Sequence, residues 1–408
     1  MPMNSTLAQS TLTTGVSRLQ RLKTRRKLWL KVHLWLGLGF GLFLAIIGLT
    51  GSILVFWQEI DATLNPTLYH NSSPVSLPKP IDEIIAAGEN AAPSGFESAW
   101  VQVPQEEDGN YIFGFYYPKF SAPPENALSF NIAINPYTAT AVGQRVFYHG
   151  WNPLKHSFVG FFFKLHYALF LGEIGVTLVG ILAVLFIISV LTGLILWWPI
   201  TGNWRRGLTI KRKASIERFN HDLHQTTGFY TLIVLLALLM SGLYFNLPDQ
   251  FRWLVERFSP LTHEAKPSPA LPHDALVLER ALQQAKSTNL GGIIHTFDLN
   301  NGKQGLFSVC FRDVPELKRY VIAERCLVFN RTDGELLQIK DPAHGSSGDL
   351  FMQWQWPLHS GQAFGWTGRI LVFISGLICP ILFVTGLIRW LQKRRAYFIK
   401  QQKSSNLN

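Results

Sequence analysis

The chain has 408 residues, of which 48% are hydrophobic and only 15% are charged, and its formal net charge is +11. A soluble domain carries about 25% charged residues, so this composition excludes an ordinary water-soluble protein. The basic excess would suit a nucleic-acid binder, but 19 of the 37 Lys and Arg residues lie in three segments that flank apolar runs. This placement indicates membrane orientation and no nucleic-acid partner.

Four runs contain no charged residue, and each is about as long as the roughly 20 residues that a helix needs to cross a bilayer. These runs are Leu34–Trp57, Ile174–Ile200, Gln225–Pro248 and Ile370–Ile388. They predict an α-helical membrane protein with four transmembrane helices and two intervening lobes. The predicted order is a basic N-terminus (1–32), TM1 (33–58), a first lobe (59–165), TM2 (166–199), a basic loop (200–222), TM3 (223–246), a second lobe (247–358), TM4 (359–391) and a basic tail (392–408).

The basic segments are almost free of acids, whereas the lobes are acidic or near neutral. This positive-inside pattern predicts that both termini are cytoplasmic and that both lobes lie outside the cytoplasm. Each lobe reads as α+β, because a short amphipathic helix (81–92 or 276–287) precedes strand-like runs. Cys310 and Cys326 lie in two such runs of the second lobe, where they form either a disulfide or two buried thiols.

Two spacings occur in both halves of the sequence. The first histidine of each half, His33 or His224, is followed by glycines at four and 18 residues. The second, His166 or His359, is followed by glycines at six, nine and 27 residues. The glycines are Gly37, Gly51, Gly172, Gly175 and Gly193 in the first half, and Gly228, Gly242, Gly365, Gly368 and Gly386 in the second. We therefore predict a tandem duplication of helix, lobe and helix.

Several short motifs accompany these histidines: H-x-W-x-G-L from His33, D-L-H ending at His224, two L-H-x5-G boxes and two T-G-L-I-x-W span ends. With the strand-turn lobes, they resemble the PepSY-associated transmembrane-helix family from about Lys31 to Trp390. Ala139 departs from the glycine usual in the first-lobe turn of that family. The family includes bacterial inner-membrane haem proteins that resemble, or are, ferric-siderophore reductases. The resemblance implies a bacterial inner membrane, PepSY-like periplasmic lobes and a link to iron.

The histidines fall into two predicted pairs. TM1 and TM3 run the same way, so His33 and His224 (the first pair) share a depth near the cytoplasmic face. By the same argument, His166 and His359 (the second pair) share a depth near the outer face. Two imidazoles at one depth are suited to ligate one haem iron from opposite sides. The sequence has no C-x-x-C-H motif, so we predict two non-covalent b-type haems, with Gly37 and Gly228 one helical turn away leaving room for the macrocycle.

Each second-pair histidine precedes the glycine of the Thr-Gly pair at the far end of its span by 27 residues, and a continuous helix of that length would be longer than the bilayer core is thick. Twenty-seven residues of helix measure about 40 Å, against a hydrocarbon core of about 30 Å. His166 and His359 therefore lie either on extended helices or before a break near Gly172 and Gly365. Arg369 is a candidate partner for a haem propionate or an anionic substrate. His221, three residues before His224 on the same helical face, is an alternative first-pair ligand, and a single histidine at a span end is often only an interfacial anchor.

The predicted function is a di-haem b reductase that passes electrons to a periplasmic ferric siderophore and releases Fe(II). The donor, a quinol or a cytoplasmic reductase, must be external because no G-x-G-x-x-G motif opens a strand–helix unit. Ion-coupled transport is disfavoured because the charge-free runs lack intramembrane ionisable residues. Two alternatives remain: a haem electron-transfer subunit for another periplasmic partner, and a non-enzymatic PepSY protein that modulates peptidases or transport.

Overall fold

The structure is a computed structural model that describes residues 4–71, 77–94, 96–117, 128–149, 155–199, 202, 204–262, 265, 275–288, 291–299, 305–318 and 324–405. For residues 4–23, 97, 206, 275–279, 288 and 403 it describes the backbone only. The helices are α1 (Asn4–Leu54), α2 (Trp57–Leu64), α3 (Pro66–Tyr69), α4 (Ile81–Ala91), α5 (Phe158–Ala168), α6 (Gly172–Trp197), α7 (Arg205–Leu208), α8 (Ile216–Tyr230), α9 (Leu232–Asn246), α10 (Pro248–Glu256), α11 (Ala275–Thr288), α12 (Ser347–Gln353), α13 (Gln355–Ser360) and α14 (Gly365–Ser405). The strands are β1 (Glu97–Gln102), β2 (Tyr111–Tyr117), β3 (Leu128–Asn135), β4 (Thr140–His149), β5 (Ile293–Asp298), β6 (Leu306–Arg312), β7 (Arg325–Asn330) and β8 (Leu336–Lys340).

The chain forms two compact units. The helical unit contains Met1–Ser52, Gly180–Leu243 and Ile370–Asn408, and the sheet unit contains Ile53–Val179 and Tyr244–Arg369. Among the described residues, three helical segments are long and apolar enough to cross a membrane: Thr24–Leu54, Gly172–Trp197 and Gln362–Gln402. The chain is therefore a membrane protein with an additional β-sheet.

The predicted span 223–246 is two helices rather than one. Helices α8 and α9 meet at Thr231 with a bend of 60°, and together they make a fourth candidate span. The Thr231 hydroxyl donates to the Thr227 carbonyl at 2.8 Å, and the Thr227 hydroxyl donates to the Leu223 carbonyl at 2.7 Å. Threonine hydroxyls bonded to the carbonyl four residues earlier bend helices, and hydropathy alone does not register this effect.

Glycines bring α1 and α14 into close contact within the helical unit. A β-carbon on Gly376 would lie 2.4 Å from the Gly48 carbonyl oxygen, and one on Gly48 would lie 2.6 Å from Cβ of Cys379. The Ser52 hydroxyl donates to the Phe373 carbonyl at 2.8 Å across the same contact. Small residues allow two helix backbones to approach in this way, and the hydroxyl adds a hydrogen bond between them.

The two predicted lobes join in one antiparallel eight-stranded sheet with the order β4-β3-β2-β1-β5-β6-β7-β8. Strand β1 pairs with β5 through Trp100 opposite Asp298, Val101 opposite Phe297 and Gln102 opposite Thr296. The lobes are therefore not separate bodies. Unpaired β1 and β5 would each leave an open sheet edge, and their pairing satisfies both.

One hydrophobic core serves both halves of the sheet. Helices α4 and α11 supply buried apolar side chains to it, and alternate residues of the strands supply the rest, as expected for amphipathic helices on a pleated surface. The fully buried members include Ile84, Ile85, Val101, Phe113, Phe115, Ile132, Ile134, Ala281, Ala285, Phe297, Val309, Phe311, Leu327 and Phe329. Gly88 allows α4 to lie on this face, since a β-carbon there would come within 2.5 Å of the Phe113 ring.

The β3–β4 and β7–β8 connections have the same turn chemistry. Asn135 and Asn330 each begin the turn and accept a backbone N–H two residues on, at 2.8 Å and 3.0 Å. Ala139 has φ +52° where Gly334 has φ +77°. The first turn thus keeps the left-handed geometry without glycine, at the cost that an alanine β-carbon brings to this conformation. In the second half, Cys310 and Cys326 form a disulfide between β6 and β7.

Candidate functional site

The first histidine pair is close within the helical unit. His33 on α1 and His224 on α8 have ring centroids 6.2 Å apart, and their planes make an angle of 77°. The structure brings His224, rather than His221, to His33. The Nδ1 atom of His221 instead lies 3.5 Å from Oδ1 of Asp222, a carboxylate that also accepts from the Arg218 guanidinium.

The end of α6 holds the His33 ring. Nδ1 of His33 lies 2.9 Å from the Ser189 carbonyl oxygen and 3.3 Å from the Thr192 hydroxyl. The Thr192 hydroxyl itself donates to the Ser189 carbonyl at 2.8 Å. A carbonyl oxygen only accepts, so Nδ1 of His33 carries the proton.

The corresponding segment of α14 holds the His224 ring. Nδ1 of His224 lies 2.9 Å from the Thr385 hydroxyl, and the ring also faces the Leu382 carbonyl. The Thr385 hydroxyl donates to the Ile381 carbonyl at 2.6 Å. Its oxygen is therefore the acceptor for the His224 N–H, and Nδ1 again carries the proton.

Both first-pair imidazoles thus have the tautomer of a metal ligand. With Nδ1 protonated, Nε2 keeps its lone pair, and in the part of the chain that the structure describes neither Nε2 atom has a hydrogen-bond partner. Metal-ligating histidines commonly donate their second N–H in this way, which fixes both ring orientation and tautomer. Thr192 and Thr385 were missed as site residues in the sequence, although the Thr-Gly pairs 27 residues after His166 and His359 contained the signal.

The glycines of those Thr-Gly pairs lie against the two rings. A β-carbon on Gly193 would lie 3.2 Å from Cε1 of His33, and one on Gly386 would lie 3.4 Å from Cε1 of His224. Each imidazole therefore packs directly on the backbone of a span helix. The 27-residue spacing links each second-pair histidine to the helix turn that supports a first-pair ring.

Space remains beside the first pair where the sequence predicts it. Among the described residues, a β-carbon on Gly37 would have no neighbour within 4 Å, and one on Gly228 would meet only Cδ2 of Leu382, at 3.5 Å. Gly39, two residues along α1, also has no neighbour within this distance. The described part of the chain gives no packing reason for glycine at position 37.

A substitution at Gly37 tests whether the space beside the first histidine pair is occupied by a cofactor. We expect Gly37→Leu to fold, because leucine favours a helix more than glycine by about 0.8 kcal/mol. We expect it to lose the haem that is predicted at the first pair, since the side chain would occupy the space beside the rings. Haem per chain measures the result, and Gly39→Leu is the matched control that should keep both haems. Equal haem content in the two variants would remove Gly37 from the site.

The second histidine pair is close within the sheet unit. His166 and His359 have ring centroids 6.0 Å apart, with planes at 66°, and Phe245 packs edge-on against His359 at 5.4 Å. Each histidine lies in the last turn of a short helix, α5 or α13, that precedes a membrane-spanning helix. The predicted spans 166–199 and 359–391 therefore begin later, and of the two alternatives the structure has the break.

The glycines that follow each second-pair histidine by six and nine residues form this break. Gly172 has φ +57° and Gly365 has φ +56°, a region that L side chains rarely adopt. A β-carbon on Gly175 would lie 1.8 Å from the Ala168 carbonyl oxygen, and one on Gly368 would lie 2.1 Å from the Gly361 carbonyl oxygen. Each of those carbonyls belongs to the residue two positions after the histidine. Both spacings thus encode the close approach of a span helix to the end of the helix that carries the ligand candidate.

Asn246, the last residue of α9, forms hydrogen bonds with both sides of the break between α5 and α6. Its amide donates to the Tyr167 and Val176 carbonyls, both at 2.8 Å, and the side chain is buried. These two carbonyls lie on either side of the α5–α6 break, so one side chain fixes both segments. The sequence gives no signal for this role, because an asparagine at a span end is common.

Both separations suit two imidazoles on opposite sides of one metal ion. With a metal–nitrogen bond of about 2.0 Å and a nitrogen to ring-centroid distance of about 1.2 Å, the centroids would lie about 6.4 Å apart. The observed separations are 6.2 Å and 6.0 Å. Both separations are compatible with the ligand pairs that the sequence predicts, and their role in haem binding stays a prediction.

Comparison with known families decides the relationship. The family model of the PepSY-associated TM region matches residues 30–393. The chain belongs to this family. The match includes all four paired histidines and both halves of the sheet. None of the curated proteins compared with the chain matches it.

In this PepSY-associated TM protein, Arg369 has partners within the chain. Its guanidinium pairs with Glu59 at 2.5 Å, donates to the Val55 carbonyl at 3.0 Å and lies 4.8 Å from the ring centroids of Phe56 and Trp366. Its Nε is buried, with no hydrogen-bond partner among the described residues. One N–H thus remains for an anionic group, while the other contacts hold the side chain in place.

The helix that carries His166 also carries an unusual lysine. Burial lowers the pKa of Lys164 to about 8, and its Nζ lies 3.8 Å from the Tyr148 ring centroid. Burial, together with the charge of Lys164 and of His149, lowers the pKa of His156 to about 4. His156 is therefore neutral at neutral pH and packs on Tyr148 and Phe170.

The remaining histidines of the lobes have local partners. His70 bonds with Asp108 at 3.1 Å, and His344 bonds with Asp341 at 2.8 Å; both rings are about half exposed. His263 and His273 lie outside the described residues. Neither His70 nor His344 contacts the four paired histidines in the part of the chain that the structure describes.

Proposed function

We propose that the chain is a di-haem b reductase of the bacterial inner membrane that reduces a periplasmic ferric siderophore and releases Fe(II) for uptake. One observation carries the proposal: two imidazole pairs, each at the separation that one iron requires, lie in a single chain. One-electron redox chemistry is what a b-type haem at each pair would supply when bound. Reduction suits iron release because hard oxygen ligands hold Fe(II) less tightly than Fe(III).

The proposal includes the predicted duplication and orientation. The same hydrogen-bonded carbonyl and hydroxyl surround His33 and His224, and the same break follows His166 and His359, which supports two copies of a helix–lobe–helix unit with four spans. The basic segments at both termini and at 200–222 support cytoplasmic termini and periplasmic lobes. The donor is a quinol or a cytoplasmic reductase.

The chain's own residues act by holding the ligands. The Ser189 and Leu382 carbonyls, with Thr192 and Thr385, orient the first-pair rings and keep each Nε2 unprotonated. The glycine breaks set the positions of the second-pair rings. Such preorganisation keeps imidazole positions constant during a one-electron change, so little structural rearrangement accompanies it.

Two measurements on the purified protein test the proposal. Protein from haem-replete cells should show a b-haem spectrum that shifts on dithionite reduction. The reduced protein should then be reoxidised by a ferric siderophore faster than by buffer alone in the absence of oxygen. The matching iron-free siderophore is the control, because it offers the same ligand without an oxidant.

The two alternatives predict different results. A colourless, haem-free preparation would support the non-enzymatic PepSY protein that modulates peptidases or transport. A haem protein that ferric siderophores reoxidise no faster than buffer would support an electron-transfer subunit for another periplasmic partner.

A further inference from the structure

A second cluster of metal-binding side chains lies on the second half of the sheet. It contains Cys310 on β6, Cys326 on β7, Glu324 just before β7 and His295 on β5. One ligand atom from each of Cys310, Glu324 and Cys326 lies within 4.8 Å of the other two. Nε2 of His295 lies 3.3 Å from Oε1 of Glu324. None of these residues belongs to either histidine pair.

The sheet register brings Cys310, Cys326 and Glu324 together, and His295 lies against Glu324. Cys310 and Cys326 are direct cross-strand neighbours, and Glu324 precedes Cys326 by two residues, so both point to one face. The β5–β6 register shifts between Ile294 and Thr296, which leaves His295 as the extra residue of a bulge. Bulges redirect side chains, and this one turns the imidazole toward Glu324.

Two of the separations between these side chains are close to those between neighbouring ligands of a tetrahedral metal ion. Ligand bonds of about 2.0–2.3 Å at tetrahedral angles place neighbouring ligand atoms about 3.3–3.8 Å apart. The His295 to Glu324 distance is 3.3 Å, and Sγ of Cys326 lies 3.9 Å from Oε1 of Glu324. Among the described residues, Nδ1 of His295 is buried without a hydrogen-bond partner. The contact of Nε2 with Glu324 positions this ring, and among the described residues Nδ1 makes no hydrogen bond that metal binding would have to break.

We propose that reduction of the Cys310–Cys326 disulfide converts this cluster into a Zn²⁺ site with Cys310, Cys326, Glu324 and His295 as ligands. Two thiolates, one imidazole and one carboxylate form a donor set that suits zinc in tetrahedral geometry. In the oxidised chain the two sulfur atoms are bonded to each other, so the site is closed to the metal. The cluster is then a redox-gated metal site, and it does not depend on the proposed reductase function.

The redox step balances with a protein dithiol as the reductant. Thiolate attack breaks the Cys310–Cys326 S–S bond through a mixed disulfide, and the second thiol of the reductant resolves it. The reductant leaves as a disulfide, and the chain gains two electrons and two protons as two thiols. Zinc binding then releases both thiol protons, because thiolates are the ligands.

Zinc binding by the oxidised and reduced full-length protein tests the proposal. The protein is reduced with a phosphine, freed of reductant under argon and dialysed against buffered Zn²⁺, and the bound metal is measured by elemental analysis. We expect one more Zn²⁺ per chain in the reduced protein than in the oxidised protein. We expect Glu324→Gln and His295→Ala to weaken this binding at least about tenfold. Both variants keep the two cysteines, so the oxidised form of each verifies folding.

Two controls separate the site from non-specific thiol binding. Cys379→Ser removes the free buried cysteine, and His344→Ala removes a half-exposed histidine elsewhere on the sheet unit; neither should change zinc affinity. Equal zinc in the oxidised and reduced proteins would overturn the proposal. Zinc bound by the reduced protein with unchanged affinity in both Glu324→Gln and His295→Ala would overturn it as well.

Discussion

Replacing any one of the four paired histidines by alanine should lower the haem content from two per chain to one. Within each pair the rings are 6.2 Å or 6.0 Å apart, so the loss of one ring removes half of an axial ligand set and leaves the other set intact. His33→Ala and His359→Ala are the simplest cases, one from each pair. Haem per chain, from the absorbance of the pyridine complex against protein concentration, measures the effect.

Double variants and two control histidines make this test specific. His33→Ala with His224→Ala should lose no more haem than either change alone, whereas His33→Ala with His359→Ala should lose both haems. His221→Ala and His344→Ala should retain both, because these rings bond to Asp222 and Asp341. Full haem content after a change within a pair would contradict the ligand assignment, and loss after His221→Ala would transfer it to that residue.

Adding a single methyl group at Gly175 or Gly368 should remove the haem of the second pair alone. The new β-carbon would lie 1.8 Å or 2.1 Å from a backbone carbonyl oxygen, so the span helix and the ligand helix must separate. Overpacking of this kind costs about 1–3 kcal/mol, and here the displaced segment carries His166 or His359. We expect Gly175→Ala and Gly368→Ala each to retain one haem and to melt at a lower temperature.

Gly39→Ala is the matched control for these glycine variants. It adds the same methyl group to a membrane helix at a position with no described neighbour within 4 Å, so it should keep both predicted haems and should not melt at a lower temperature, because alanine favours a helix more than glycine. Two haems and unchanged melting in Gly175→Ala would show that the break does not position His166. Loss of both haems in Gly175→Ala, with Gly39→Ala intact, would show that the two pairs are not independent.

The histidine spacings carried most of the predictable information about the site. They singled out the four rings that the structure brings together in twos, because equal spacings mark corresponding positions in the two halves of the sequence. Their role as haem ligands remains a prediction. The spacings also marked the glycines six and nine residues after His166 and His359. The sequence did not predict the positive φ of the first glycine or the carbonyl contact of the second, because both arise from a break in the helix and a helical pattern does not contain one.

Other features depend on contacts that are distant in sequence. Alternating strand patterns predicted two α+β lobes, yet the pairing of Val101 with Phe297 joins segments almost 200 residues apart, and strand patterns do not specify partners. The bend at Thr231 lies within a run that hydropathy reads as continuous, because the deciding hydrogen bond comes from a hydroxyl. The sequence was compatible with either a Cys310–Cys326 disulfide or two buried thiols. The disulfide forms because the strand register makes the two cysteines direct cross-strand neighbours.

The central pairing of β1 with β5 has a consequence for the chain's history. A half-length polypeptide that ended within residues 200–222 would lack β5, and its β1 would present bare N–H and C=O groups to solvent. A second copy of the same polypeptide offers an equivalent strand, and antiparallel pairing of the two copies would restore eight strands with two-fold symmetry. Under the proposed duplication, the ancestor would be a homodimer with this strand pairing at its interface, and gene fusion would have made that interface permanent.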